Sequence, residues 1–461
     1  MSDSWATFGS DLHLDLDGTG VRAAVERALR DAVRTGRLLP GTRLPSSRSL
    51  ARDLGVARNT VADAYGLLVA EGWLTARQGS GTRVADRPAP GISAVPTPAA
   101  AATRAFAYDL RPGTPDLSTF PRAAWISAAK RALTAAPNDA FGYGDPRGRI
   151  ELRRALAEYL ARARGVRATP ERIMICSGYV QGLALLTTVL RDSGALAVEA
   201  LGLDVHRDVV AAHGMRTVPL AVDAQGACTG ELAGLGAGAV LLTPAHQFPT
   251  GVPLHPERRA AAVAWARQTG GVIIEDDYDG EFRYDRQQVG ALQDLDPDHV
   301  VYTGTASKSL APALRLAWLV LPPALIKPVA AAKALADMHT KTLDQLTLAE
   351  LIRSGAYDRH VRRSRARYRS RRDRLVAALA ERAPRVRVTG IAAGLHALLA
   401  LPPGAGTEQA VIDRAARRGL ALAGLDRYRY AGTAPPSLIV GYGTPPDHAF
   451  AGALDALCAV L

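Results

Sequence analysis

Lysine is scarce in this chain: of its 56 Lys and Arg residues only Lys130, Lys308, Lys327, Lys333 and Lys341 are lysine. A guanidinium stays protonated, whereas an amine can lose its proton and act as a nucleophile. A lysine kept in a special setting is therefore a candidate for chemistry that arginine cannot perform. Cysteine is scarce too. Cys176, Cys228 and Cys458 lie far apart without metal or disulfide spacing, which excludes a disulfide scaffold and a zinc ribbon and fits a reducing cytosol. No apolar run approaches the roughly 20 residues that span a bilayer. The opening MSDSWATFGSDLHLDLDGTG has no basic start followed by an apolar stretch, so no signal peptide is expected. What is present is ordinary globular composition, 48% hydrophobic and 22% charged, at a length that suits two or three domains. The formal charge of +12 permits an acidic partner.

Ala85 to Ala105, ADRPAPGISAVPTPAAAATRA, combines Pro, Ala and Gly with few large apolar residues and reads as a semi-extended linker. It divides the chain into a head at 12–84, a linker at 85–107 and a body at 108–461. In the head, Val21 to Thr35 has apolar residues at helical spacing and Gly36 after it. Ser46 or Ser47 can cap a short helix through Leu54, and after the turn at Gly55 a second helix runs from Arg58 to Glu71. WLTA and TRVA then flank QGSG as a hairpin. This order is that of a winged helix-turn-helix. Between Gly20 and Val84 there are 11 Arg and five acids, so half of the +12 lies in about a seventh of the chain. That is the electrostatic footprint of a protein meeting double-stranded DNA. Arg58, Asn59 and Thr60 open the second helix, where side chains reach base edges or phosphates. Arg43, Ser46, Ser47 and Arg48 lie where a helix start can hold a phosphate, and Gly79, Ser80 and Gly81 let the wing tip approach the backbone closely.

In the body, helical segments alternate with short apolar strands: RIMICSG, ALAVEA, MRTVPLAV, AVLLTPA, GVIIEDDYD, HVVYTG and LRLAWLVLP. This argues an α/β fold with a mainly parallel sheet covered by helices, whose ligands collect at the strand ends. Four groups fall there. Lys308 follows HVVYTG in a small-residue loop with Thr305 and Ser307, seven residues before Arg315. Asp276 and Tyr278 end GVIIEDDYD. Ser177 and Gly178 precede an apolar helix whose first N–H groups are free for an anion. His246 and Gln247 precede a Pro-Thr-Gly turn. Alone, Lys308 reads as a solvated loop lysine. Set among hydroxyls, a helix start, an arginine and an acid, it reads as the amine that holds a phosphorylated pyridine aldehyde as a Schiff base, with the acid on the pyridine nitrogen and the tyrosine on the ring oxygen.

Two resemblances give these readings a family. PGTRLPSSRSLARDLGVARNTVADAY, followed by EGWL and GSGT, resembles the DNA-binding domain of GntR-type bacterial regulators. From Asp109 on, RPGTPD, FGYGDPRGRIELRRALAEYL, TPAHQFPTG, IIEDDYDGEFRY and TGTASKSLAPALRLAWLVLP resemble fold-type I, class I aminotransferases, whose fold ends in a small C-terminal α+β subdomain. The combination resembles MocR/PdxR-type regulators. The resemblance implies pyridoxal 5'-phosphate (PLP) on Lys308, with Asp276 on the pyridine nitrogen and Tyr278 on the 3-hydroxyl. It implies a phosphate site of Ser177, Gly178, Thr305, Ser307 and Arg315, reached by Tyr143 from the other subunit of a head-to-tail, domain-swapped homodimer. It further implies a cytoplasmic regulator, nucleoid-associated when bound to operator DNA, that senses PLP or an amine or amino-acid effector. An active aminotransferase carrying a DNA-binding head is the alternative.

The chain departs from the family pattern twice. SGYVQGL replaces SGSQQAL, placing Tyr179 and Val180 beside the phosphate loop, and VEALGLDVHRD replaces ExPGYxxAR, placing Leu203 where a tyrosine near the cofactor is expected. Tyr179 either stacks on the ring or is a core or surface tyrosine. Arg207, Arg427 and Arg429 are candidates for an effector carboxylate, each also readable as a surface residue. RHVRRSRARYRSRRDRL, Arg359 to Leu375, holds nine Arg and reads as the solvated face of a long helix or as a further contact to DNA backbone. No metal or membrane partner is expected.

Overall fold

Val25, Leu29 and Ala32, three and four residues apart, turn one face of a helix inward. The computed structural model describes residues 20–77, 80–86, 106–284 and 290–461, and it buries that face on α1 (Val21–Arg34). Residues 12–19 and most of the expected linker lie outside the described residues. The chain divides into two units, Met1–Arg104 and Ala105–Leu461.

In the first unit α1, α2 (Ser47–Asp53) and α3 (Arg58–Ala70) bury Leu29, Leu50, Val61 and Leu68 in one core. Each such side chain contributes roughly 1.5–3 kcal/mol by leaving water. Ser46 caps α2 by accepting from Ser49 N at 3.1 Å. The Tyr65 hydroxyl on α3 donates to Pro45 O at 3.1 Å, fixing the turn ahead of α2. The wing is β1 (Leu74–Arg77) paired antiparallel with β2 (Gly81–Val84), Leu74 opposite Val84.

All seven apolar segments of the body are strands of one sheet: β3 (Ile173–Cys176), β4 (Ala195–Glu199), β5 (Thr217–Leu220), β6 (Ala237–Leu242), β7 (Val272–Asp276), β8 (Val300–Thr305) and β9 (Ala317–Val320), in the spatial order β3-β9-β8-β7-β6-β4-β5. Every neighbouring pair is parallel except the two that β9 makes, with β8 and β3. β3, β8 and β9 are buried throughout. Strands covered on both faces carry continuous apolar runs, not an alternating pattern. Helices precede and follow the strands and pack around the sheet: α4 (Arg122–Ala135) and α5 (Ile150–Arg164) before β3, then α6 (Tyr179–Leu190), α7 (Asp204–Ala212), α8 (Pro256–Thr269), the single-turn α9 (Ala306–Ser309), α10 (Pro323–Asp337) and α11 (Thr342–Arg353).

The long α12 (Ala356–Arg382) leads into a smaller α+β part, an antiparallel sheet in the order β10 (Arg387–Thr389), β11 (Ala397–Ala400), β13 (Ser437–Val440), β12 (Ala423–Gly424), backed by α13 (Glu408–Arg417) and α14 (Asp447–Cys458). Its core gathers Leu375, Leu399, Leu438 and Phe450. No helix among the described residues is long and apolar enough to cross a membrane.

Candidate functional site

Parallel strands bring their C-terminal ends to one edge of the sheet. Glu199 ends β4, Asp276 ends β7, Thr305 ends β8, and the turn after β3 carries Ser177 and Gly178. Lys308, Asp276, Tyr278, Thr305, Ser307, Arg315 and Tyr179 line one cavity of about 380 Å³. That volume suits a small molecule or cofactor.

Lys308 rides on α9, whose first turn is fixed by Thr305 accepting from Ser307 N at 3.1 Å. Its amine donates to Gly113 O. Burial holds it below the ordinary lysine range, while Asp276 and Asp279 pull the other way. Asp276, the last residue of β7, and Asp277 just after it point to opposite sides and have opposite fates. Asp277 takes two bonds from Arg164, at 2.6 and 3.0 Å, and one from the Tyr302 hydroxyl at 2.7 Å. Asp276 faces the cavity, with the Thr303 hydroxyl 3.5 Å from its carboxylate. Burial, with the charge of Asp277 added, pushes the Asp276 carboxyl up to about 8. Glu199, also on the wall, is pushed by burial up to about 7 and accepts from Thr243 and Gln247. Tyr278 donates to His246 O at 3.0 Å, and His246 Nδ1 lies 2.8 Å from Asp279.

At the opposite end Arg315 holds a left-handed backbone, φ 49°, and donates to Ser177 O at 3.1 Å. A non-glycine residue there is strained and persists only where its surroundings hold it. Its guanidinium lies against Gly178, φ 94°, so closely that a Cβ at 178 would overlap it. The first N–H groups of α6 open beside that guanidinium. Two hydroxyls, a helix N-terminus and an arginine form an anion cradle, with an amine beside it and a buried acid across the cavity. This donor set fits a phosphorylated pyridine aldehyde.

Behind the cradle, the Ser177 N–H donates to Gln181 Oε1 at 2.7 Å, and the Gln181 amide donates to Asp337 at 2.7 Å. The wholly buried Lys333 donates to both oxygens of Asp337, at 2.8 and 3.0 Å.

Several expected residues sit elsewhere. Arg207 lines the cavity, with its guanidinium 4.7 Å from the Tyr430 ring centroid. Arg427 and Arg429 do not line it: Tyr428 between them does, and this turns its two neighbours away. Arg429 pairs with Asp426 at 2.8 Å, and Arg427 lies over the Tyr428 ring. Gln247 is likewise used inside its turn, donating to Leu201 O and Phe248 O and accepting from Thr250. His246 stands behind Tyr278, not on the wall. With Asp279 and His396 it places three metal-capable atoms within 4.8 Å of one another. Ser177 and Gly178 form the floor under Arg315. Tyr143 is 84% exposed, beside His339 and away from its own chain's cavity.

The departures are visible in the geometry. Tyr179 and Leu203 both line the cavity. Among the described residues the buried Tyr179 hydroxyl has no hydrogen-bond partner, and its ring centroid lies 4.8 Å from that of His206. Burial lowers His206 to about 4, so this ring is neutral. Sequence reasoning missed His206, His396, Glu199 and Lys333. Two signals were available: an acid ending an apolar strand, and a lysine spaced i,i+4 from an aspartate on an apolar helix.

In the head, Arg43, Ser46, Arg48, Arg58, Asn59, Ser80 and Gly81 are exposed and Ser47 and Thr60 half-buried. Arg43 lies against Gly81 of the wing, and its backbone bridges to Arg83. The Ser46 oxygen is taken up as the α2 cap. Gly79 lies outside the described residues.

Residues 21–84 match the family of bacterial regulatory proteins called gntR, and residues 109–419 match aminotransferase class I and II. The chain is 35% identical over 416 residues to the uncharacterized HTH-type transcriptional regulator YhdI of Bacillus subtilis, covering 88% of each chain. It is 31% identical over 436 residues to the HTH-type pyridoxine biosynthesis transcriptional regulator PdxR of Corynebacterium glutamicum, covering 92% of each. Among solved structures it is similar to LysN, the α-aminoadipate aminotransferase of Thermus thermophilus complexed with N-(5'-phosphopyridoxyl)-L-leucine: 27% identity, TM-score 0.68, 77% of this chain and 91% of that one. With a GntR head on an aminotransferase body, matched along nearly its whole length by such regulators, the chain belongs to the MocR/PdxR-type transcriptional regulators.

Proposed function

We propose that the body of this regulator holds PLP in the cavity at the strand ends and reads an amine or amino acid there to set the head's affinity for operator DNA. PLP is the cofactor of this fold and family. The observation that carries the reading is the convergence of Lys308 and Asp276 on one cavity whose far end is the Arg315–Gly178 cradle. Lys308 is the amine that holds the cofactor covalently, and burial already favours its neutral, nucleophilic form. Asp276 would pair with the pyridine nitrogen, and a cation there would offset the cost of its buried charge. The Tyr278 hydroxyl would turn from His246 O to the ring oxygen. Arg315, Ser307, Thr305 and the start of α6 hold the phosphate. Bound PLP supplies a carbonyl that captures amines and a ring that withdraws electrons. Arg207 is the arginine left on the wall for an effector carboxylate.

The homodimer belongs to the same reading. Ile126 and Leu133 of α4, Phe141, Met338 and Leu343 are exposed apolar residues around packed α4 and α11, with Tyr143 beside them. A solvent-facing apolar patch of this kind marks an interface. A second subunit there would bring Tyr143 toward the partner's phosphate site and give the two heads of a dimer two half-sites. In the head, Arg58, Asn59 and Thr60 start α3 and face bases, while Arg43, Ser46, Ser47, Arg48, Ser80 and Gly81 hold phosphates. Charge and family suit a cytoplasmic protein, nucleoid-associated on its operator.

The test is Lys308→Ala beside the wild type. Purified with PLP, the wild type should show a visible absorption band that the variant lacks, and amines should alter both that band and operator binding in the wild type alone. The same band in the variant would overturn the assignment. A second reading, an active aminotransferase with a DNA-binding head, is favoured by the completeness of the lysine, acid and cradle set. Repeated turnover of an amino donor with a keto acid would establish it.

A further inference from the structure

The positive charge of this chain is concentrated in two places. The head carries +6 between Gly20 and Val84, and Arg359 to Leu375 carries nine Arg against Asp373 alone. Together they exceed the chain's +12, so all other residues sum to a slight negative charge. Part of the arginine of α12 is used internally. Arg371 is buried against Asp116 at 2.8 Å, and Arg367 pairs with Asp447 at 3.2 Å. Arg365 donates to Glu281 O at 2.8 Å and Arg374 lies 4.9 Å from the Phe450 ring centroid, yet both residues, like Arg362 and Arg369, are exposed. Arg362, Arg365, Arg369 and Arg374, with Arg283, line an open groove of about 590 Å³ whose one acid among the described residues, Asp373, is 4.0 Å from Arg369.

Positions 362, 365 and 369 stand at i, i+3 and i+7 and share one helix face. From 362 to 369 the helix rises about 10 Å at 1.5 Å per residue. Each strand of duplex DNA offers a phosphate about every 3.4 Å of axis, so the row runs beside about three base pairs. A site for one small anion would aim buried donors at a point. Here Arg362, Arg365, Arg369 and Arg374 are exposed and spread along the helix, with the half-buried Arg283 beside them, which suits a polyanion.

We infer that this groove binds the phosphate backbone of duplex DNA flanking the sequence held by the head. The inference rests on the DNA-binding reading of the head. Full-length protein is titrated over a range of salt with two duplexes from the DNA upstream of its own coding region: the shortest that outcompetes random sequence, and the same extended by several helical turns at each end. The wild type should bind the long duplex more tightly and with a steeper salt dependence. The double variant Arg362→Gln/Arg369→Gln should lose that gain, and its log–log salt slope should fall by about 2 for each subunit whose groove meets DNA, since each phosphate contact adds roughly 0.9. Its affinity for the short duplex and its visible spectrum should stay as in the wild type, and Arg362→Lys/Arg369→Lys should keep the gain. A glutamine variant with the wild-type gain and slope, or a wild type indifferent to duplex length, overturns the inference while leaving the head's role standing. A wild type that shifts neither duplex overturns the DNA-binding reading and this inference with it.

Discussion

Asp276 is a carboxyl that its protein raises to about 8, chiefly by burial, and this makes it a source of pH dependence. A group whose folded pKa lies above its unfolded one binds more protons when folded, so between about pH 4 and 8 it lowers stability as pH rises. Protein stripped of cofactor should therefore lose melting temperature across that window. Asp276→Asn should flatten part of the loss, while Glu199, Glu275 and Glu281, each raised by burial to about 7, supply the remainder with the same sign. Equal slopes in the variant and the wild type would contradict the assignment. Lys333 is the other lysine to which burial gives meaning. Breaking a buried pair by removing one partner typically costs about 3–5 kcal/mol. Asp337 is partly exposed, so Lys333→Met should cost about 2–3 kcal/mol in denaturant unfolding. It should also weaken PLP binding, because Asp337 and Gln181 then hold Ser177 less firmly. Unchanged cofactor affinity in a folded variant would reduce Lys333 to a core residue.

At the scale of elements the decisive contact is the start of α6 against Arg315. Gly178→Ala would set a Cβ on the guanidinium at a backbone angle, φ 94°, that side chains rarely adopt. The expected outcome is a folded protein with PLP affinity reduced at least tenfold, about 1.4 kcal/mol, read by titrating the visible band. Near-normal affinity would remove the cradle from this turn. Such elements were legible because buried parallel strands are continuous apolar runs and because Lys308, Asp276 and Arg315 each sit at a strand end. What was not legible depends on contacts across the fold. Nothing local distinguishes Arg207, on the wall, from Arg427 and Arg429, which the turn at Asp426–Tyr428 points away while Tyr428 points in. The Tyr179–His206 pair joins two helices and leaves no sequence period. Lys333 looks like one basic residue on α10 until Gln181 and Asp337 close around it.

At the scale of the whole molecule, a DNA-binding head with one recognition helix gains specificity by pairing, and the body supplies the face on which pairing can occur. Ile126 and Leu133 lie seven residues apart on α4, two helical turns, so both belong to one exposed apolar stripe, 67% and 53% exposed. Left in water this stripe is a liability; covered by a second copy it is an interface. Ile126→Glu/Leu133→Glu places two charges where a partner would desolvate them, and light scattering should show the mass falling from dimer to monomer. Two further losses should follow from the same cause. PLP affinity should drop, since in the proposed dimer Tyr143 would reach the partner's phosphate site, and operator affinity should drop far more than binding to random DNA, since two half-sites are no longer held together. A variant that remains dimeric would place the interface on another face. A monomer that keeps full cofactor affinity would show each cavity to be complete without Tyr143, so the two readouts separate the interface from its contribution to the site.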